Sequence, residues 1–217
     1  MTGEKIKTNV LSVQMIPNAD ALLLKNLKAP KAHHSLGLFT TDCDDVSYAA
    51  LDEATKKADV QVVYARSMYA GSGNASTKLA GEFIGILSGP DPAEVRSGLE
   101  AAIHYIENDA AFYTANDDGS IVYFAQLISR TGSYLSKAAG VSEGTSMAYL
   151  IAPPMEAIMG LDAAVKSSGA QIALFYGPPT ETNFAGGLLV GEQSQCQDAC
   201  ETFAATIRKI AASPLEY

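Results

Sequence analysis

No apolar run in this sequence approaches the ~20 residues that a helix needs to cross a bilayer. The opening stretch, MTGEKIKTNV, lacks the apolar core of a secretion signal. Together these absences predict a cytoplasmic protein with no membrane segment. Cysteine is scarce: Cys43, Cys196 and Cys200 are the whole complement. An odd count without a secretion signal argues for reduced thiols rather than a disulfide framework. Cys196 and Cys200, four apart, share one helix face and are expected in a core. A zinc site would want two more ligands at suitable spacing. His33 and His34 sit side by side in a polar stretch and His104 falls in a helical pattern, so no metal site is expected. Positive charge is thin as well, with 15 Lys and Arg against 24 Asp and Glu, a formal net charge of −9. Phosphate binding needs clustered Lys and Arg, so this balance disfavours nucleic acid, while a cationic small molecule is compatible with it.

Catalytic motifs are missing too. There is no GxxxxGK[ST], GxSxG, HExxH or CxxC. The Gly-rich GSGNAS (71–76) follows a strand-like run but leads into another strand. No helix N-terminus would meet a phosphate there, so the segment reads as a turn. With no activated nucleophile, poised histidine or ligand set, the chain is not expected to be an enzyme or to carry a resident cofactor.

What is present is a repeat. Residues 51–62 read LDEATKKADVQV and residues 161–172 read LDAAVKSSGAQI. The likeness extends both ways: VQMIPNADALLLK (13–25) aligns with AQLISRTGSYLSK (125–137), and AGEFIGIL (80–87) resembles AGGLLVG (185–191). VRSGLEAAIHYI (95–106) matches ACETFAATIRKI (199–210) in its apolar positions. Internal repetition of this kind means one supersecondary unit used twice. The chain therefore reads as two versions of one domain, 1–110 and 111–217. Each copy runs strand, short helix, strand, helix, strand, loop, strand, helix, with alternating or helical apolar spacing in the right places. The predicted class is α+β, each copy a mostly antiparallel sheet flanked by helices. No Pro/Gly-rich linker separates the copies.

The acids are the candidate chemistry. DCDD (42–45) follows the second strand of copy one and precedes its first main helix. Asp44 or Asp45 at the N-cap would accept a helix N–H and meet the macrodipole. Three acids exceed what a cap needs, and the second copy has APPM (152–155) there. Glu82 lies in the apolar strand AGEFIGIL, set against Gly187 by the alignment above. Pointing inward, it would need a positive partner. The loops YARSMYAGSGNASTKLAG (64–81) and YGPPTETNFAG (176–186) differ in length and are polar and Gly-rich, as functional loops often are.

YAALDEATKKADVQVVYARSMYAGSG followed by AGEFIGILSGPDPAEVRSGLEAAI resembles a bacterial microcompartment (BMC) shell domain. The order of elements resembles the circularly permuted, tandem form of that domain. SLGLFTTDCDDVSYAALDEATKKADVQVVYARSMYAG, SRTGSYLSKAAG, MAYLIAPPMEA and ETNFAGGLLVG resemble shell proteins of ethanolamine-utilization microcompartments, over nearly the whole chain.

The resemblance implies homotrimers that act as flat pseudo-hexamers and tile with other shell proteins. It implies a gated central pore lined by the two unequal loops, with Arg66, Ser67, Tyr69, Gly71 and Gly73 in one and Pro178, Thr180, Glu181, Thr182 and Asn183 in the other. It implies ethanolamine at small pores within each subunit, at Asp44, Asp45 and Glu82, with Phe112 and Thr182 as weaker candidates through backbone groups. Cobalamin or nucleotides are conceivable cargo. Lys56 and Lys166, which recur in both copies, are candidates for packing at tile edges. The other reading of the residues is a stand-alone protein that binds or senses a small cation and forms no sheet.

Overall fold

The elements of the chain run in the order the repeat predicts. First come β1 (Lys5–Ile6), β2 (Val10–Ile16), α1 (Ala21–Asn26), β3 (Ser35–Thr41), α2 (Asp44–Lys57), β4 (Gln61–Ser67), β5 (Phe83–Gly89) and α3 (Pro92–Asn108). The second series is β6 (Phe112–Thr114), β7 (Val122–Ile128), α4 (Ser133–Ala139), β8 (Ser146–Ala152), α5 (Pro154–Ser168), β9 (Gln171–Tyr176), β10 (Ala185–Gly191) and α6 (Gln193–Ala212). The structure, a computed structural model, describes residues 2–68, 77, 79–178 and 183–215.

Strand order shows the duplication directly. One sheet runs β2-β3-β5-β4, and the other contains the matching run β7-β8-β10-β9, extended at the β7 side by β6 and β1. Every ladder among the described residues is antiparallel. The chain divides into two units: Thr8–Ala110 with Gly132–Leu135, and Met1–Lys7 with Ala111–Thr131 and Ser136–Tyr217. Each copy thus lends a short piece of chain to the other's unit.

In each unit the last helix and the one before it cover the sheet. In the first unit Leu36, Phe39, Leu51, Phe83, Leu87, Val95 and Ile106 are buried, with Ala49, Ala50 and Ala54 keeping α2 close. In the second, Leu150, Leu161, Leu189, Phe203 and Ile207 form the core with Ala157 and Ala164. Cys196 and Cys200 lie in that same core, on the buried face of α6.

The register corrects one sequence alignment. Thr41 pairs with Phe83 at the end of β3 and β5, as Ala152 pairs with Ala185 at the end of β8 and β10. Glu82 therefore corresponds to Phe184, not to Gly187. The sequences of the two strands slipped three residues because both are runs of small and aliphatic residues, with nothing to fix their register.

The repeated Leu-Asp pair has two different fates. Leu51 and Leu161 are both buried. Asp162 is exposed and takes Lys166 Nζ at 2.7 Å. Asp52 is wholly buried. Its two oxygens accept the N–H groups of Gly132 at 2.7 Å and Leu135 at 2.8 Å, and Lys56 Nζ stands 3.6 Å away. Asp52 thus caps the first turn of α4 from outside that helix, satisfying N–H groups that have no partner within it. Burial pushes the Asp52 carboxyl up, against the pull of the two N–H bonds and of Lys56.

Replacing Asp52 by Ala leaves two buried N–H groups without an acceptor, at about 1–3 kcal/mol each. The melting temperature is expected to fall by several degrees, since a chain this size loses about 2–4 °C per kcal/mol. A group whose folded pKa is raised gives stability that is complete below the unfolded value, here 3.8, and lost as pH rises through the folded value. Wild-type stability measured relative to Asp52→Asn should therefore decline with rising pH across that acid window and be level above it.

Candidate functional site

The strands β3, β4 and β5 end together. Thr41 and Ser67 both pair with Phe83, and the residues just beyond these positions gather at one end of the sheet. Glu82 precedes β5 rather than lying inside it. Its N–H donates to the Thr41 carbonyl at 2.8 Å, and its own carbonyl accepts the Met68 N–H at 2.7 Å. This close approach depends on Gly81, which has φ +63°, and a Cβ there would collide with the Thr41 carbonyl oxygen. The Glu82 side chain is half-buried.

Helix α2 begins at the same end. The residue in the N-cap position is Cys43, and its side chain makes no capping bond. This corrects the expectation of an aspartate there. The turn is closed by hydroxyls instead: Thr41 Oγ1 and Ser47 Oγ are 2.7 Å apart, and both lie within donating distance of the Cys43 carbonyl. Asp44 and Asp45 occupy the first turn, both buried, where the helix dipole favours negative charge. Asp44 Oδ1 accepts the Asp45 N–H at 2.9 Å, and Oδ2 accepts the Ser67 hydroxyl at 2.8 Å. The Ser67 N–H donates to the Tyr48 hydroxyl at 3.0 Å. Tyr48 is in turn held edge-on by Phe83 and stacked by Tyr134. Asp42 plays a different part, accepting the backbone N–H and the side-chain amide of Asn9 and so fixing the approach to β2.

The structure thus brings Asp44, Asp45, Ser67 and the backbone of Glu82 to one sheet end. Arg66 is exposed next to Ser67 on β4. Phe112, Pro178 and Asn183 belong to the other unit. There Phe112 is buried, stacked on Phe124 at 5.3 Å and Phe184 at 6.0 Å. Pro178 is exposed, and Asn183 takes a left-handed φ of +64°, which asparagine tolerates. Tyr69, Gly71, Gly73, Thr180, Glu181 and Thr182 lie outside the described residues. Lys56 contacts Glu53 and Asp52, and Lys166 contacts Asp162, each within its own helix.

Chemically, the first unit's sheet end offers carboxylates and hydroxyls, whereas in the second unit an aromatic chain starts at Phe184, the counterpart of Glu82, and runs through Phe112, Phe124 and Tyr149 to Tyr176. The described residues hold no group of three or more His, Cys, Asp or Glu able to take a metal ion. No helix among them is long and apolar enough to cross a membrane. Sequence reasoning took Ser67 for a pore residue rather than a partner of Asp44, and missed Thr41, Ser47, Tyr48 and Gly81. A signal was present: Ser47 and Tyr48 stand three and four residues after Asp44, on its side of the helix.

The three thiols are all poor nucleophiles. Burial pushes Cys43 far above the ordinary thiol range, and the charges of Asp45 and Asp44 push it further. Burial raises Cys196, and raises Cys200 to about 12 with help from Cys196 and Glu201. The thiolate is the reactive form, so the folded protein should resist alkylation by iodoacetamide near neutral pH. Counting modified cysteines by mass before and after denaturation checks this, with all three expected to react only in the unfolded chain.

Comparison with known proteins was made by family, sequence and structure. The BMC domain family matches residues 35–116. A bacterial microcompartment shell protein EutL of Clostridium perfringens (strain 13 / Type A) is 58% identical over 217 residues, covering 100% of both chains. That of Escherichia coli (strain K12) is 47% identical over 211 residues, covering 97% of this chain and 96% of its own. The crystal structure of ethanolamine utilization protein EutL from Leptotrichia buccalis C-1013-b superposes with a TM-score of 0.97 at 60% identity, over 100% of both chains.

Proposed function

The chain belongs to the EutL family of bacterial microcompartment shell proteins, and from that premise we propose that it is a non-enzymatic, ethanolamine-responsive pore tile of the shell. Three chains make a pseudo-hexamer, six copies of the repeated domain around one axis. The end of β4 and the segments after β4 and β9, with Arg66, Ser67, Tyr69, Gly71 and Gly73 in one and Pro178, Thr180, Glu181, Thr182 and Asn183 in the other, surround a central opening that switches between closed and open states. Metabolites, or larger solutes such as cobalamin or nucleotides, pass when it is open.

The observation that carries the ligand assignment is the contrast between the two sheet ends. One duplicated framework ends in Asp44, Asp45, Ser67 and Glu82, and the other in aromatic rings. Ethanolammonium has one ammonium, with three N–H donors, and one hydroxyl. Carboxylates suit the first group and a hydroxyl or carbonyl the second, and charge-assisted bonds of this type are the strong ones. Asp45 and Glu82 take the ammonium, and Asp44 sets the position of the Ser67 hydroxyl. Phe112 and Thr182, through backbone groups, are the weaker candidates: Phe112 belongs to the other unit and Thr182 lies outside the described residues. Bound ethanolamine shifts the pore only as far as it prefers one state over the other.

The competing reading, a stand-alone binder of a small cation, shares this site and lacks the assembly. Lys56 and Lys166 separate the two. In a tile they pack at outer edges, so Lys166→Ala combined with Lys56→Ala should abolish two-dimensional sheets seen by negative-stain electron microscopy and leave the trimer mass intact.

For the site, Asp45→Asn with Glu82→Gln keeps shape and removes both charges. A hydrogen bond to a charged group contributes about 1.5–3 kcal/mol, so calorimetric titration with ethanolamine should show affinity at least about tenfold weaker. Unchanged affinity would show that the ammonium is held elsewhere.

A further inference from the structure

The duplicated helices α2 and α5 share a buried face and differ on a second one. Leu51 and Leu161 are buried, as are Ala54 and Ala164, so both helices lie on their own sheets in the same way. Around the helix from that face, α2 presents Tyr48, Ala49 and Asp52. Ala49 is buried, and residues 132–135 lie against its neighbours: Tyr134 stacks on Tyr48 at 6.3 Å, the Ser133 N–H donates to Thr55 Oγ1 at 3.0 Å, and Asp52 takes the N–H groups of Gly132 and Leu135. On α5 the same positions are Ile158, Met159 and Asp162, and they are bare. Ala49 is 2% exposed, whereas Met159 is 52% exposed.

The element that would cover them exists, also bare. In the repeat, residues 132–135 correspond to Asp20, Ala21, Leu22 and Leu23 at the start of α1, with β2 and β7 matching residue for residue just before them. Leu135 is 2% exposed, while Leu23 is 42% and Leu22 is 69% exposed. Helix α1 has no buried residue. One chain therefore carries an occupied seat, an empty seat, and a spare copy of the occupant.

We infer that the exposed face of α5 is the seat for helix α1 of a second copy of this chain, with Leu22 packing on Ile158 as Tyr134 packs on Tyr48. The inference rests on the reading of the chain as a self-associating tile and names the contact that makes it one.

The two seats are complementary to their own occupants. A Cβ at Gly132 would collide with Thr55 Oγ1 and lie 2.6 Å from the Asp52 carbonyl oxygen, so the seat on α2 admits only glycine there. The spare occupant has Asp20 in that place and must sit farther out. On α5 the larger side chains fill that distance: Met159 stands where α2 has Ala49, and Met155 where it has Asp45. Methionine suits such a gap because its unbranched chain adapts to the space left. The caps are exchanged to match. Asp20 caps its own helix through the Leu22 N–H at 2.8 Å, so α1 needs no carboxylate from its seat, and Asp162 is left to Lys166. Helix α4 starts at a glycine-serine pair, has no such aspartate, and takes its cap from Asp52.

The test is native mass by analytical ultracentrifugation of the full-length chain, with far-UV circular dichroism as the control for folding. Leu22→Glu and Ile158→Lys both alter exposed side chains and should fold. Each alone is expected to lower the mass from three chains to one, and the pair together to restore it, because the two new charges are opposite and adjacent. A wild type with the mass of three chains whose Leu22→Glu and Ile158→Lys variants keep that mass overturns this contact and leaves the tile reading standing. A wild type with the mass of one chain overturns both.

Discussion

A carboxylate sealed inside a protein has to be answered by donors, and Asp52 is answered by the backbone. Its two oxygens take two N–H groups at the start of α4, those of Gly132 just before it and Leu135 within it, and an ammonium stands near. Removing any of these partners leaves a buried charge or a buried donor unsatisfied, each a cost of kilocalories. The constraint fixes where residues 132–135 go. They lie in the unit built from the first copy, although their own helix continues in the second. The exposure of Leu22, the bareness of α5 and the need for glycine at position 132 are all readable against that one arrangement.

Duplication leaves two kinds of position free to change at different rates. Residues that hold helix to sheet are repeated nearly unaltered: Leu51 and Leu161, Ala54 and Ala164, and the Leu36–Phe39 strand against its counterpart around Leu150. A core at close-packed density feels the loss of a single methylene. The strand ends carry no such burden. There one copy has become acidic and hydroxylic, and the other aromatic, without disturbing the ladder beneath. The sheet end in the first copy still has to house two adjacent acids, which it does by placing them at the positive end of α2 and giving Asp44 the Ser67 hydroxyl.

This division also sets what could be read from sequence. The order of elements and the repeated domain were legible because apolar spacing and the Leu-Asp-Ala-Lys pattern recur. Three things were not. The register of β5 against β10 slipped because Gly, Leu, Ile and Ala offer no distinguishing contact. The start of α2 was misread because aspartate is the commoner cap, and nothing in DCDD announces that Thr41 and Ser47 have already closed the turn. The role of Asp52 was hidden because the same pair, Leu then Asp with Lys four residues on, stands in both copies. Only the segment that meets the helix, glycine at 132 against aspartate at 20, distinguishes a buried cap from a surface ion pair, and that difference sits far away in sequence.

Fusing two copies gives a shell tile something that six identical domains lack. A ring of six equal domains has one kind of contact between neighbours and one kind of sheet end. With two unlike copies the matching helix faces differ: the face of α2 admits only a glycine at position 132, and that of α5 carries the exposed Met155 and Met159. The sheet ends differ as well, one with Asp44, Asp45 and Ser67 and the other with Phe184 stacked on Phe112. A ligand that prefers one of two states shifts their populations by its difference in binding free energy, and that difference adds over equivalent sites, so a modest preference at each becomes a large shift.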